Sequence, residues 1–298
     1  LTEHQLDIDE FSGLADEATE LNITLESLPT VVRRDVTTPE GMVSALSWGD
    51  TEPEIVLLHG VALNAHTWDA TLLAFGRPAL AIDLPGHGRS EWRADATYGP
   101  RLIAQSLATV VAELAPHARA IVGHSLGGLT ALALCEAAPD LVRELILIDI
   151  APMSKAQRSA AAPVVTFLDG PTSFASRDEI VERAEAHGFG RSRESLERAV
   201  VLNTVIRDDG RVVWRHEIGQ HPDRVTWLAD TSDLWLPFET ATVPTTLVRA
   251  ARGFVDAAHL AEVRERVPKV TVVEVATGHN VQEDDPLGLA HLLTTLLK

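Results

Sequence analysis

The stretch Ala120-Ile121-Val122-Gly123-His124-Ser125-Leu126-Gly127-Gly128 constrains this chain more than any other. An apolar run ends in Gly-x-Ser-x-Gly, and helix-forming residues follow from Leu129 to Ala138. A strand that turns sharply into a helix in this way presents the serine at the apex, with backbone dihedrals that a side chain resists. Where the two backbones crowd, only small neighbours fit, which accounts for Gly123, Gly127 and Gly128. The start of the helix aims amides and a positive dipole end at any anion formed beside Ser125. Gly-x-Ser-x-Gly alone is a weak signal. Flanked by an apolar strand and a helix, it points to a catalytic serine rather than a structural turn.

The surrounding chain repeats the strand–helix alternation. Glu54–Leu58, Ala79–Ile82, Arg119–Val122, Leu145–Ile148, Thr245–Val248 and Val270–Val275 are short apolar runs, as expected of strands buried on both faces of a parallel sheet. Helical patterns cover 65–75, 100–114, 257–266 and 286–297. Val31–Asp35 and Met42–Trp48, joined by residues 37–41, suggest a β-hairpin ahead of them. Strands alternating with helices predict an open α/β sheet with helices on both sides. From 152 to 240 the rhythm breaks. Arg/Glu-rich helical patterns (178–186, 192–203) and three tryptophans, Trp214, Trp227 and Trp235, suggest a helical cap inserted over the carboxyl ends of the strands. Their aromatic rings fit core positions, and none is given a ligand contact. The expected organisation is therefore an acidic segment (1–30), a core in two parts (31–151 and 241–298) and the cap (152–240).

Composition limits the function classes. A chain of 298 residues with a net charge of −18 is a poor partner for nucleic acid or an anionic membrane surface. No apolar run has the length of a membrane span, and no basic segment with an apolar core opens the sequence. The single Cys135 excludes an intrachain disulfide and a Cys-based metal site, which suits a reducing, cytoplasmic setting, and the residue fits a small buried hydrophobe. The first thirty residues hold eight acidic side chains and no Lys or Arg. Leu6, Phe11, Leu14, Leu21, Leu25 and Leu28 would allow them to dock as a helix, and no function is assigned to them. Oligomeric state leaves no mark in the sequence.

A serine hydroxyl needs a base to take its proton and a carboxylate to orient that base. Of twelve histidines, His279 is the candidate base. It follows the last strand pattern through Ala276-Thr277-Gly278, where a loop can reach across the sheet edge, and it satisfies the order serine, acid, histidine. His59 and His87, in glycine-bearing turns, are expected to brace loops, and His124 to pack away from its neighbour Ser125. The segments Leu57-Leu58-His59-Gly60, Asp83-Leu84-Pro85-Gly86-His87-Gly88-Arg89-Ser90, Gly123-His124-Ser125-Leu126-Gly127-Gly128 and Gly278-His279 stand in an order that resembles the α/β-hydrolase superfamily over roughly residues 31–298, the cap excepted. That resemblance implies an eight-stranded, mostly parallel sheet, a serine–acid–histidine triad, no cofactor, and an oxyanion hole from the backbone amides of Val61 and Leu126. It leaves the substrate open.

The acid departs from the family's common pattern. The place where most members carry it, after the next-to-last strand, holds Phe254 here. Asp256 lies two residues on but directly precedes a helix, where it would serve as an N-cap. Asp149 ends the strand expected beside Ser125, a site some members use, and is favoured over Asp256; it could otherwise cap the chain leading out of the core. Asp83 is a weaker third choice in the wrong chain order. The expected function is a cofactor-free serine hydrolase acting on an ester, thioester or lactone of a small apolar molecule. Carbon–carbon bond hydrolysis, perhydrolysis, or a hydrolase-like receptor on the same scaffold are the alternatives.

Overall fold

The computed structural model describes residues 9–93, 95, 97–154, 170–217 and 230–298. Trp227 and the acidic or apolar positions Glu3, Leu6 and Asp7 lie outside the described residues.

An eight-stranded sheet forms the centre. Its strands are β1 (Val31–Thr38), β2 (Gly41–Trp48), β3 (Ile55–Leu58), β4 (Ala79–Ile82), β5 (Ala120–His124), β6 (Leu145–Ile148), β10 (Thr245–Arg252) and β11 (Thr271–Gly278). They stand in the order β1-β2-β4-β3-β5-β6-β10-β11. The first two joins, β1 to β2 and β2 to β4, are antiparallel, and all others are parallel. The hairpin is tighter than the sequence suggested: Thr38 pairs with Gly41, so only Pro39 and Glu40 turn.

The uniformly apolar strands are explained by their two buried faces. Val56, Leu58, Leu80, Ile82, Ile121, Leu145 and Leu147 join one core cluster with α3 (Pro100–Leu114), α4 (Leu126–Ala137) and α8 (Ala257–Arg266). Their neighbours Ile55, Leu57, Ala79, Ala81, Val122, Ile146 and Ile148 join the other, with α1 (Leu14–Glu20), α2 (Asp69–Phe75) and α9 (Pro286–Leu296). Side chains alternate across a strand, so a run without polar interruption has nowhere to face water.

Between β6 and β10 the chain leaves the sheet. It forms α5 (Arg177–Ala186) and α6 (Arg193–Leu202), as the helical patterns suggested, and a short helix α7 (Trp235–Thr240) that no pattern indicated. It also forms a three-stranded antiparallel sheet of β7 (Ser173–Phe174), β8 (Thr204–Ile206) and β9 (Val212–Trp214), which the sequence reading missed. Two- and three-residue strands give too short an alternation to register as a period. Phe174, Ile180, Val181, Leu196, Val200, Val212 and Trp214 pack into a separate core of their own.

The described part of the acidic N-terminal segment, from Asp9 on, is tied down through its charges. Glu10 pairs with Arg33 at 2.8 Å, with His66 at 3.2 Å and with Arg89 at 3.4 Å. Glu17 of α1 pairs with Arg198 at 3.0 Å and Arg191 at 3.5 Å, both from the insertion. These three cationic partners of the core and two of the insertion are remote in sequence, so the acidic run could not be distinguished from a solvated arm. Among the described residues, no helix is long and apolar enough to cross a membrane.

Candidate active site

Ser125 sits between β5 and α4 with φ 52° and ψ −117°, a left-handed conformation that costs a non-glycine residue about 1–3 kcal/mol. The glycines around it are sterically required. A Cβ on Gly123 would lie 2.5 Å from the Gly127 carbonyl, and one on Gly127 would lie 2.2 Å from Leu58 O. The strand–turn–helix geometry read from the sequence is therefore held in place by backbone contacts that admit no side chain.

Asp149 follows β6, next to β5 in the sheet, and is fully buried. Its backbone also takes a positive φ, 49°, which Asp tolerates better than most residues. Three N–H groups converge on the carboxylate. Ala250 N donates to Oδ1 at 3.0 Å, and Phe254 N donates to Oδ2 at 2.6 Å. His279 Nδ1 donates to the same Oδ2 at 2.8 Å. With Nδ1 carrying the proton toward the carboxylate, Nε2 is left with its lone pair. Ser125 and His279 open onto one cavity.

The other two carboxylates do different work. Asp256 caps α8, accepting from His259 N at 2.8 Å. Asp83 is buried under Arg33 (2.8 Å) and takes the amides of Ala65 (2.7 Å) and Arg89 (3.0 Å), which anchors the loop after β4. Burial opposes its ionisation, but Arg33 and the two amides hold it below the usual carboxylate range.

His59, His87 and His124 behave as braces of loops. His59 Nδ1 donates to Gly60 O at 2.7 Å, while its Nε2 accepts from Leu84 N at 2.9 Å, a pattern only the neutral ring can make. Burial pushes its pKa down to about 4. His87 Nδ1 donates to Pro85 O at 3.1 Å. His124 donates through Nε2 to the backbone carbonyl of His279 at 3.0 Å, and burial beside that ring keeps it neutral. Its packing role supports the loop that carries His279.

The sequence drew attention to Phe254 only as the residue in the acid's common place. Its ring lies flat on the imidazole of His279, with centroids 3.4 Å apart and planes 10° apart. The glycine before it went unremarked, yet a Cβ on Gly253 would sit 2.0 Å from Asp149 Oδ2. Gly253, the Phe254 amide and the Ala250 amide form the socket into which Asp149 reaches from the neighbouring strand. The glycine immediately before the departure from the common pattern was the available signal.

Val61 lines the cavity beside Ser125, and Leu126 is the first residue of α4. Neither backbone amide has an acceptor among the described residues, as expected of a helix start and a loop facing a cavity. Above Ser125 the cavity wall comes from the insertion: Ile180, Ala184, Phe189, Leu196, Val200 and Trp214. Trp214 thus faces the cavity, a contact its aromatic character alone did not disclose. Trp235 is a core residue, stacked near Phe238. The space measures roughly 790 Å³ including its open mouth.

This arrangement can be set beside known proteins. The model of the alpha/beta hydrolase family matches residues 55–292. The chain belongs to the alpha/beta hydrolase family. It is therefore an enzyme of the hydrolase type. It is 39% identical to the esterase Rv0045c of Mycobacterium tuberculosis, across 97% of this chain and 96% of that one. A solved structure of that esterase superposes with a TM-score of 0.83, covering 98% of this chain and 99% of the other at 38% identity. The sn-1-specific diacylglycerol lipase ABHD11 of Mus musculus is 26% identical over 83% of this chain and 81% of its own. The fold of E-2-(acetamidomethylene)succinate hydrolase is shared at a TM-score of 0.77, covering 89% of this chain and 98% of that one, with 21% identity.

Proposed function

We propose that this hydrolase cleaves carboxylic esters of small apolar molecules through Ser125, His279 and Asp149, by way of an acyl-enzyme. One observation carries the proposal: the buried carboxylate of Asp149 bonds Nδ1 of the same imidazole that shares a cavity with the strained Ser125. The names of the esterase and lipase relatives support the ester as the bond attacked.

His279 Nε2 takes the Ser125 proton as Oγ attacks the ester carbonyl. Asp149 then faces an imidazolium, which it stabilises and keeps in the correct tautomer. The carbonyl oxygen becomes an oxyanion, received by the amides of Val61 and Leu126 at a helix start. Collapse of this intermediate breaks the ester C–O bond, and His279 returns the proton to the leaving alkoxide. A water deprotonated by the same nitrogen then attacks the acyl carbon, the bond to Ser125 Oγ breaks, and His279 returns the proton to Oγ as the acid leaves. Every group in the cycle belongs to the chain, so the chemistry needs no cofactor.

The insertion acts as a cap. Its apolar wall of Ile180, Phe189, Val200 and Trp214 favours an apolar acyl or alcohol portion. Thioesters and lactones present the same carbonyl to the same serine.

The test is Ser125→Ala. With a short p-nitrophenyl ester it should abolish both the acylation burst and labelling by a fluorophosphonate. Full turnover by this variant would refute the proposal.

A further inference from the structure

Between His59 and Asn64 the chain makes a tight turn closed by Leu63 N donating to Gly60 O at 3.3 Å. Val61 and Ala62 occupy its two central positions. Ala62 has φ 62°, the left-handed third position that type II turns usually give to glycine or asparagine. An alanine there is not self-supporting, so the turn needs outside anchors. One anchor is the His59 ring, which bonds Gly60 O at 2.7 Å. The other comes from the cap: Asn203 Nδ2 donates to Ala62 O at 2.6 Å.

Asn203 is well placed for this. It ends α6, its own carbonyl accepts from Arg215 N at 2.9 Å, and its side chain lines the cavity that holds Ser125. Its Oδ1 accepts from Asn64 Nδ2 at 3.3 Å, and the same nitrogen reaches Leu202 O at 3.2 Å. Asn64 in turn caps the 3₁₀ turn Ala65–Trp68 by accepting from His66 N. The two asparagines therefore clasp the end of a cap helix to the loop that carries the Val61 amide.

We infer that Asn203 is a positioning residue: through the Ala62 carbonyl it holds the Val61 amide at the angle needed to receive the oxyanion. This rests on the proposed role of Ser125. It makes a cap residue part of the transition-state machinery without any contact to the reacting atoms. It also means that a displaced cap would loosen the oxyanion hole as well as open the pocket.

The prediction separates a positioning role from simple closure of the cap. An amide held in place matters chiefly when the oxyanion exists, so its loss belongs to kcat. Asn203→Asp keeps size and shape but replaces the donor with an oxygen that repels Ala62 O; Asn203→Leu removes hydrogen bonding altogether. Both should lower kcat on a p-nitrophenyl ester roughly tenfold or more, with KM changed less than about twofold, since direct removal of an oxyanion donor costs on the order of 10²–10³. Affinity for a trifluoromethyl ketone, which adds to Ser125 and forms a tetrahedral oxyanion, should fall in parallel. Affinity for a planar amide isostere of the substrate should hold.

If kcat stays within about twofold of the parent, or if the loss lies in KM with ketone affinity unchanged, the inference is overturned. Melting curves report on folding; should Asn203→Leu not fold, the isosteric Asn203→Asp decides. An inactive Ser125→Ala beside fully active Asn203 variants would sink this inference alone, whereas an active Ser125→Ala would sink the reading beneath it.

Discussion

Asp149→Asn is the most informative single change. Three donors converge on the two oxygens of Asp149: Ala250 N, Phe254 N and His279 Nδ1. A carboxamide has one oxygen and cannot serve both sides. If its oxygen faces Phe254 and His279, the Ala250 amide loses its acceptor, a cost of about 1–3 kcal/mol in stability. If its oxygen faces Ala250, the amide NH₂ confronts Phe254 N–H and selects the imidazole tautomer with Nδ1 unprotonated, which cannot act as the base. Either way the imidazolium formed in the transition state loses a buried counter-charge. At 2.8 Å that pairing is worth about 6 kcal/mol with an effective dielectric of ~20. The hydrogen bond that Asn can still make recovers about 1–2 kcal/mol. The remaining ~4–5 kcal/mol corresponds to a fall in kcat of roughly 10³–10⁴. The paired control is Asp256→Asn, which retains a good N-cap for α8 and should leave kcat unchanged. Steady-state turnover of a short p-nitrophenyl ester, with melting curves on the same samples, gives both numbers. An Asp149→Asn enzyme within tenfold of the parent would refute the assignment, and a dead Asp256→Asn would transfer it.

Two further outcomes follow from the packing. Gly253→Ala places a methyl 2.0 Å from Asp149 Oδ2, so the carboxylate must move; kcat should fall on the order of 10², and unaltered kinetics would show that the socket does not set the geometry. Glu10→Gln should lower the melting temperature by several degrees at pH 7. Burial opposes ionisation of Glu10, but His66, Arg33 and Arg89 outweigh it and hold the pKa at about 2. A depressed acid stabilises the fold above its unfolded value of 4.5 and loses that contribution as pH falls toward 2, so the gap between parent and variant should narrow from pH 5 to pH 3. A gap independent of pH would contradict the charge account.

Much of the site could be read along the chain because its constraints are local. The Ser125 turn, its glycines and the following helix are adjacent residues, and the alternating buried strands announce a parallel sheet through apolar runs alone. His279 directly follows the last strand, β11, the place its sequence position indicates. The choice of Asp149 over Asp256 rested on strand adjacency inferred before any register was known. Phe254 was visible only as an anomaly, since a ring lying on an imidazole 25 positions away in sequence has no spacing signature.

What the sequence determined by itself, then, was the order of the core's strands and helices and the chemical types brought to the sheet's carboxyl edge, because strand burial, turn sterics and helix starts are set by near neighbours. Tertiary structure alone decided which carboxylate meets His279, which residues of the insertion wall the cavity, and that Asn203 grips the turn at Ala62 from 141 positions away. Those contacts depend on how the strands register and how the insertion folds back. Distances across space, unlike periodicities along a chain, leave no trace in a single sequence.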